Sequence, residues 1–218
     1  MQKMEVFSLK RQPEKRAVYS EIRSEGEGDE KKVAGAGIVY NKWEEFWPGY
    51  KERIMKGAVQ IADEVKSFFN HEPSMVLSTT ESNPPLELKD GDKAFEYVSP
   101  IPPTTYGKDL EINLARKNVK GSSFSFFVPE DGDKRWREDG VVYREIRKLT
   151  LLEVGPVTNP AYLKTSAGLR SAEDVYKEFL AAESQEDEVA RKVEAKRKAG
   201  QEAEMRERDL QILDAEVS

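Results

Sequence analysis

Cysteine is absent from the 218 residues, which removes disulfide bridges, thiol nucleophiles and thiolate metal sites together. Histidine occurs once, as His71, and a single imidazole cannot build a multi-histidine zinc site. No apolar run approaches the roughly 18 residues that span a bilayer, and Met1–Lys10 lacks the apolar stretch of a signal peptide. A soluble protein of a reducing, cytosolic compartment is therefore expected, with no membrane partner. Positive charge is outnumbered, with 35 Lys and Arg against 41 Asp and Glu. The formal net charge of -6 argues against general affinity for nucleic acid, whose phosphates it would repel. Lys134–Arg137 is the densest basic cluster, but Asp131, Asp133, Glu138 and Asp139 surround it, and it reads as a solvated turn. A phosphate loop is missing too: Gly35 and Gly37 form a lone Gly-x-Gly, which reads as close packing in a strand. No cofactor or metal is expected.

What is present is unevenly spread. A chain that is 38% hydrophobic and 35% charged is too polar for one evenly packed globule, so a core domain with a highly charged segment is expected. Short strands are read around Val6–Leu9 and Ala17–Ile22, followed by a polar hairpin turn over Glu25–Lys32 and a small-residue strand over Lys32–Tyr40. Trp43, Phe46, Trp47 and Tyr50 read as the cap of a core. Tyr50–Met55 suggests a strand and Gly57–Val65 a brief helix, after which Lys66–Asn70 delivers His71 to a turn ending at Pro73. Further strands fall at Val76–Leu77, Leu86–Leu88 and Phe95–Tyr97, with Asp90 and Gly91 as a hairpin turn. The frequent prolines among them point to a barrel rather than an open sheet. Thr104–Val119 reads as a helix or turn, Pro129–Gly140 as a polar loop, and Val141–Ile146 and Leu149–Val154 as strands, with Ala161 and Tyr162 packing back onto the core. From Ser171 nearly half the residues are charged. Ser171–Asp174 opens a helix whose apolar stripes, Val175 with Phe179 and Val189 with Val193, are thin, and Leu210, Ile212 and Leu213 end it in an apolar patch. The whole reads as a mixed α+β, mainly β domain over residues 1–170, followed by a charged helical or disordered tail over residues 171–218.

Three residues suggest chemistry. In Gly121–Phe127 serines and phenylalanines alternate, so in a strand Ser123 and Ser125 share one face while Phe124 and Phe126 anchor the other. In the strand over Leu149–Val154, alternation groups Glu153 with Leu149 and Leu151, a carboxylate on an apolar face that needs a partner. Arg144 would serve structurally, and a protonatable imidazole would serve catalytically. The working reading is a serine hydrolase in which Ser123 attacks a carbonyl, His71 moves the proton and Glu153 orients the ring. Backbone N–H groups near Ser122–Phe124 are the expected oxyanion donors.

The order of these segments resembles the prohead maturation proteases of tailed bacteriophages, distant fold relatives of the herpesvirus assemblins. The resemblance runs from about Pro13 to about Ala167, and rests on Val33–Asn41, Glu52–Ala58, Phe69–Glu72, Gly121–Phe126 and Leu152–Tyr162. Position by position, the family's histidine falls on His71, its nucleophile on Ser123 and its acidic residue on Glu153. Departures are Ser125 where the family has glycine, Ser78 after Leu77 where it has a Leu-Gly pair, and Glu72 where aspartate often follows the histidine. The resemblance implies an assemblin-like β-barrel with a few flanking helices, and a cofactor-free serine endopeptidase in the cytoplasm of the bacterial host, incorporated into the prohead interior. It implies the major capsid protein or a scaffold protein as substrate, self-cleavage that removes the tail, and, through the assemblins, a homodimer. The rivals are a noncatalytic β-barrel that binds scaffold, in which His71 and Ser123 only pack, and a hydrolase of small esters.

Overall fold

The computed structural model describes residues 12–26, 30–160 and 170–216, with side chains to residue 201. The strand read at Val6–Leu9 and the packing of Ala161 and Tyr162 lie outside the described residues, and the patch at Leu210, Ile212 and Leu213 lies outside the described side chains. The chain divides into two units, Met1–Asp174 and Val175–Ser218.

In chain order the strands are β1 (Glu14–Tyr19), β2 (Ile22–Glu25), β3 (Lys32–Val39), β4 (Glu44–Trp47), β5 (Tyr50–Ile54), β6 (Val59–Phe68) and β7 (Val76–Thr79). They continue with β8 (Glu87–Asp90), β9 (Ala94–Pro100), then helix α1 (Thr105–Ala115), β10 (Gly121–Phe127), β11 (Asp133–Glu138), β12 (Val141–Ile146), β13 (Leu149–Val157) and helix α2 (Ala172–Glu216). The fold is mixed α+β and mainly strand, as the patterning indicated. It is not a closed barrel. The described strands form three sheets, ordered β1-β10-β13-β6-β7, β11-β12-β5-β4 and β2-β3-β9-β8. Closure requires the two edge strands of one sheet to pair, whereas β1 and β7 stay at opposite edges of the five-stranded sheet.

Two local expectations fail for the same reason. Gly57–Val65 is not a helix but most of β6, because parallel pairing with β13 and antiparallel pairing with β7 override its helix-compatible polar residues. Pro129–Gly140 is not all loop, and the basic cluster is strand rather than solvated turn. There Arg135 is paired with Asp133, and Trp136 stacks on Tyr143 of β12 with ring centroids 5.5 Å apart.

The serine–phenylalanine alternation of β10 has the expected sidedness. Phe124 and Phe126 stack 5.3 Å apart and lie in a core with Ile38, Phe95, Tyr97, Leu151 and Val154. Burying each ring stabilises the fold by about 2–3 kcal/mol. Gly37 allows β3 to close on this sheet, since a Cβ there would lie 2.6 Å from Val154 Cγ2. A second cluster joins Val33, Phe69, Leu77, Ile101, Leu110 and Val119. Leu110 comes from α1, whose first turn is capped by the Thr104 hydroxyl accepting from the Gly107 N–H. Phe69 ties the segment before His71 into this cluster.

A buried ionic network joins the first two sheets. Arg16 of β1 donates to Glu14 and to both carboxylate oxygens of Glu52, while Arg144 of β12 donates to Glu14, Glu52 and Asp133. The Tyr50 hydroxyl adds a 2.8 Å bond to Glu52. Burial pushes the Glu14 carboxyl up, but Arg144 and Arg16 outweigh it and hold its pKa at about 2, below an ordinary value of 4.5. A depressed pKa makes stability present at neutral pH and lost as pH falls through the folded value. Urea midpoints should therefore drop progressively from about pH 4.5 towards pH 2, and Glu14→Gln should flatten this limb.

The second unit is carried by α2. Ser171 and Asp174 cap that helix reciprocally, the Asp174 N–H donating to Ser171 Oγ and the Ser171 N–H to Asp174 Oδ2. Val189 and Val193 are exposed, among charged pairs such as Glu188 with Lys192.

Candidate active site

His71 is placed by a strained turn at the end of β6. Asn70 and His71 both have left-handed backbones, with φ of 55° and 59°, which costs about 1–2 kcal/mol per non-glycine residue. Hydrogen bonds to the end of β13 offset that cost. The Asn70 N–H donates to Pro156 O at 3.0 Å, and Asn70 Oδ1 accepts from the Thr158 N–H at 2.9 Å. Just before the turn, the end of β6 runs close against Gly155, where a Cβ would come within 2.1 Å of Phe68 O. Gly155 is the register partner of Ser123, so the close approach of β6 at Gly155 brings the turn that follows, with His71, towards Ser123. Gly155→Ala should push the end of β6, and the His71 turn with it, away from Ser123 and lower turnover about 100-fold. Wild-type turnover in that variant would refute this account of the turn.

The structure brings the three candidate residues together. His71 Nδ1 donates to Glu153 Oε1 at 2.6 Å, which leaves Nε2 as the acceptor facing Ser123 Oγ, with which it is hydrogen-bonded. The Ser123 hydroxyl has a second acceptor in Arg16 O at 2.8 Å. Ser123 is fully buried and His71 is 9% exposed. Arg144 is not the partner of Glu153, because the buried network holds it. Ser125 does not reach the imidazole either. Its hydroxyl donates to Glu153 Oε2 at 3.2 Å.

A bulge decides which way Glu153 points. The β10–β13 register pairs Phe126 with Leu151 and Ser125 with Glu153, leaving Leu152 as an extra residue. Leu151 and Val154 therefore both reach the core, and Glu153 faces away from Leu149 and Leu151 rather than with them. The expected oxyanion donors are less well placed. Ser122–Phe124 pair with β1 on one side and β13 on the other, so their N–H groups are shared between two ladders.

Residues 19–178, well over half of the chain, match the caudovirus prohead serine protease family. The chain belongs to this family. No curated protein and no solved structure matches it. As a prohead protease it is of the serine peptidase class, with a role in capsid maturation inside the phage prohead in the host cell. Among the described residues of this prohead protease no helix is long and apolar enough to cross a membrane. The matched span contains His71, Ser123 and Glu153 but excludes Glu14–Val18, the part of β1 that borders the site.

Four residues near the site escaped the sequence reading. Asn70 and Gly155 carry recognisable signals, an asparagine suited to a left-handed turn and a glycine two residues after the acid. Lys15 and Arg16 carry none, since only the pairing of β1 with β10 brings them here. Lys15 lies opposite Ser125 and is nearly buried. Burial lowers the pKa of its ammonium, while the charge of Glu153 opposes the shift.

Proposed function

We propose that this prohead protease is a serine endopeptidase with Ser123 as nucleophile, His71 as general base and acid, and Glu153 as the carboxylate that orients the ring. The observation that carries the proposal is the single imidazole of the chain, bonded through Nδ1 to a carboxylate and through Nε2 to a serine hydroxyl. In the first step Ser123 Oγ attacks the carbonyl carbon of the scissile peptide and its proton passes to Nε2. The imidazolium, stabilised by Glu153, then gives that proton to the leaving amine. Water repeats the sequence on the acyl-enzyme, entering as the nucleophile and releasing the acid product.

The proposed substrates are the scaffold protein or the scaffolding arm of the major capsid protein, together with the protease itself. Residues 1–170 form the proposed protease domain. Residues 171–218 form a scaffold-like segment that self-cleavage removes, and the mostly exposed, charged surface of α2 over residues 181–201 suits a segment that does not build a core. Co-expression with the capsid protein should give a shortened capsid band and a protease whose intact mass lacks C-terminal residues. A full-length capsid protein beside active protease would refute the capsid arm as substrate and leave the scaffold protein. A cut capsid protein beside an intact protease would refute self-removal.

A further inference from the structure

We infer that Ser125 is a positioning residue for Glu153, holding the carboxylate oxygen that the histidine does not use; this rests on the triad proposed above. Glu153 Oε1 accepts from His71 Nδ1 at 2.6 Å and Oε2 accepts from Ser125 Oγ at 3.2 Å. A glutamate side chain has three rotatable bonds, and one hydrogen bond leaves its carboxylate free to swing. Two donors on separate oxygens define the plane of the group, and hence the plane of the imidazole bonded to it. Ser125 can do this because it is opposite Glu153 in the β10–β13 register and is 4% exposed, so little water competes for Oε2.

Two cations lie on the strands around this bond. Lys15 on β1 is opposite Ser125 and interacts electrostatically with Glu153, while Lys66 on β6 is the register partner of Glu153 and is paired with Glu64. Without the Ser125 hydroxyl, Oε2 loses this donor and Oε1 is less firmly held on the line of Nδ1. Ser125 is not a second nucleophile. Side chains two apart on a strand are about 7 Å apart, and the imidazole nitrogen facing the serines is already on Ser123.

The test is inactivation of the full chain by a fluorophosphonate, with the adduct located by peptide mass spectrometry and thermal unfolding followed in parallel. Wild type should label on Ser123. Ser125→Ala should lower the limiting inactivation rate about tenfold, leave the inhibitor half-saturation constant unchanged and retain a cooperative melt, while Ser125→Thr, which keeps the hydroxyl, should recover most of the rate. In a Glu153→Ala background, Ser125→Ala should change the rate less than twofold, because a positioning residue has nothing left to position. An unchanged rate in Ser125→Ala overturns the inference, as does the same tenfold loss in both backgrounds. A wild-type adduct on Ser125 overturns it by making that residue the nucleophile. No wild-type adduct refutes the triad itself, and the inference falls with it.

Discussion

Ser123→Ala should abolish cleavage of the capsid substrate, lowering turnover by about four to six orders of magnitude. The variant removes the attacking oxygen and little else. Phe124 and Phe126 still anchor β10 in the core, and the methyl group occupies space the serine already filled. The lost bond to Arg16 O costs about 1 kcal/mol, so the protein stays folded and should still bind substrate. His71→Ala should lose a similar amount, and the double variant little more than either, because the two act as a unit. A time course of capsid shortening by gel or mass spectrometry measures all three. Full cleavage by Ser123→Ala would sink the assignment. Ser122 is a poor substitute, since its hydroxyl donates to Tyr97 Oη at 3.2 Å and bonds Ser20 Oγ at 3.0 Å.

Arg144→Ala should be the most destabilising single change outside the site, by about 3–5 kcal/mol. Its side chain is fully buried, and its loss strips a counter-ion from Glu14, Glu52 and Asp133 at once. Desolvation makes a carboxylate without its cation expensive, so most of the loss comes from the groups left behind. Arg53 provides the contrast. It pairs with Glu145 but is 28% exposed, and Arg53→Ala should cost no more than about 1 kcal/mol. Urea unfolding of both variants would decide whether burial, rather than pairing, sets the magnitude, and equal midpoints would contradict it. The network also bears on the site, because the Arg16 that it grips presents its carbonyl to Ser123.

Several features of the fold were legible in the residues because they depend on near neighbours. Alternation along Gly121–Phe127 put the rings on the core side of β10, and Ser171 with Asp174 marked the start of α2. The family could be recognised from the order of short segments, and its match covers residues 19–178. Composition alone ruled out cysteine chemistry and a multi-histidine zinc site.

Other features depended on residues far apart in the chain. His71 and Glu153 are 82 positions apart, and Ser123 and Arg16 are 107 apart. No local pattern says that Glu153 meets His71 and Ser125 rather than Arg144. Strict alternation gave Glu153 the wrong neighbours, because the extra residue at Leu152 reverses the sidedness of β13, and a bulge exists only in relation to the strand beside it. The same dependence made a strand of Val59–Phe68 and left the described strands in three sheets where a barrel was expected. By itself the sequence determined which side chains could do chemistry and which were excluded. The pairing of β1, β13 and the His71 turn around β10 decided which of them meet, since only packing across the chain sets register, burial and the partner of each buried charge.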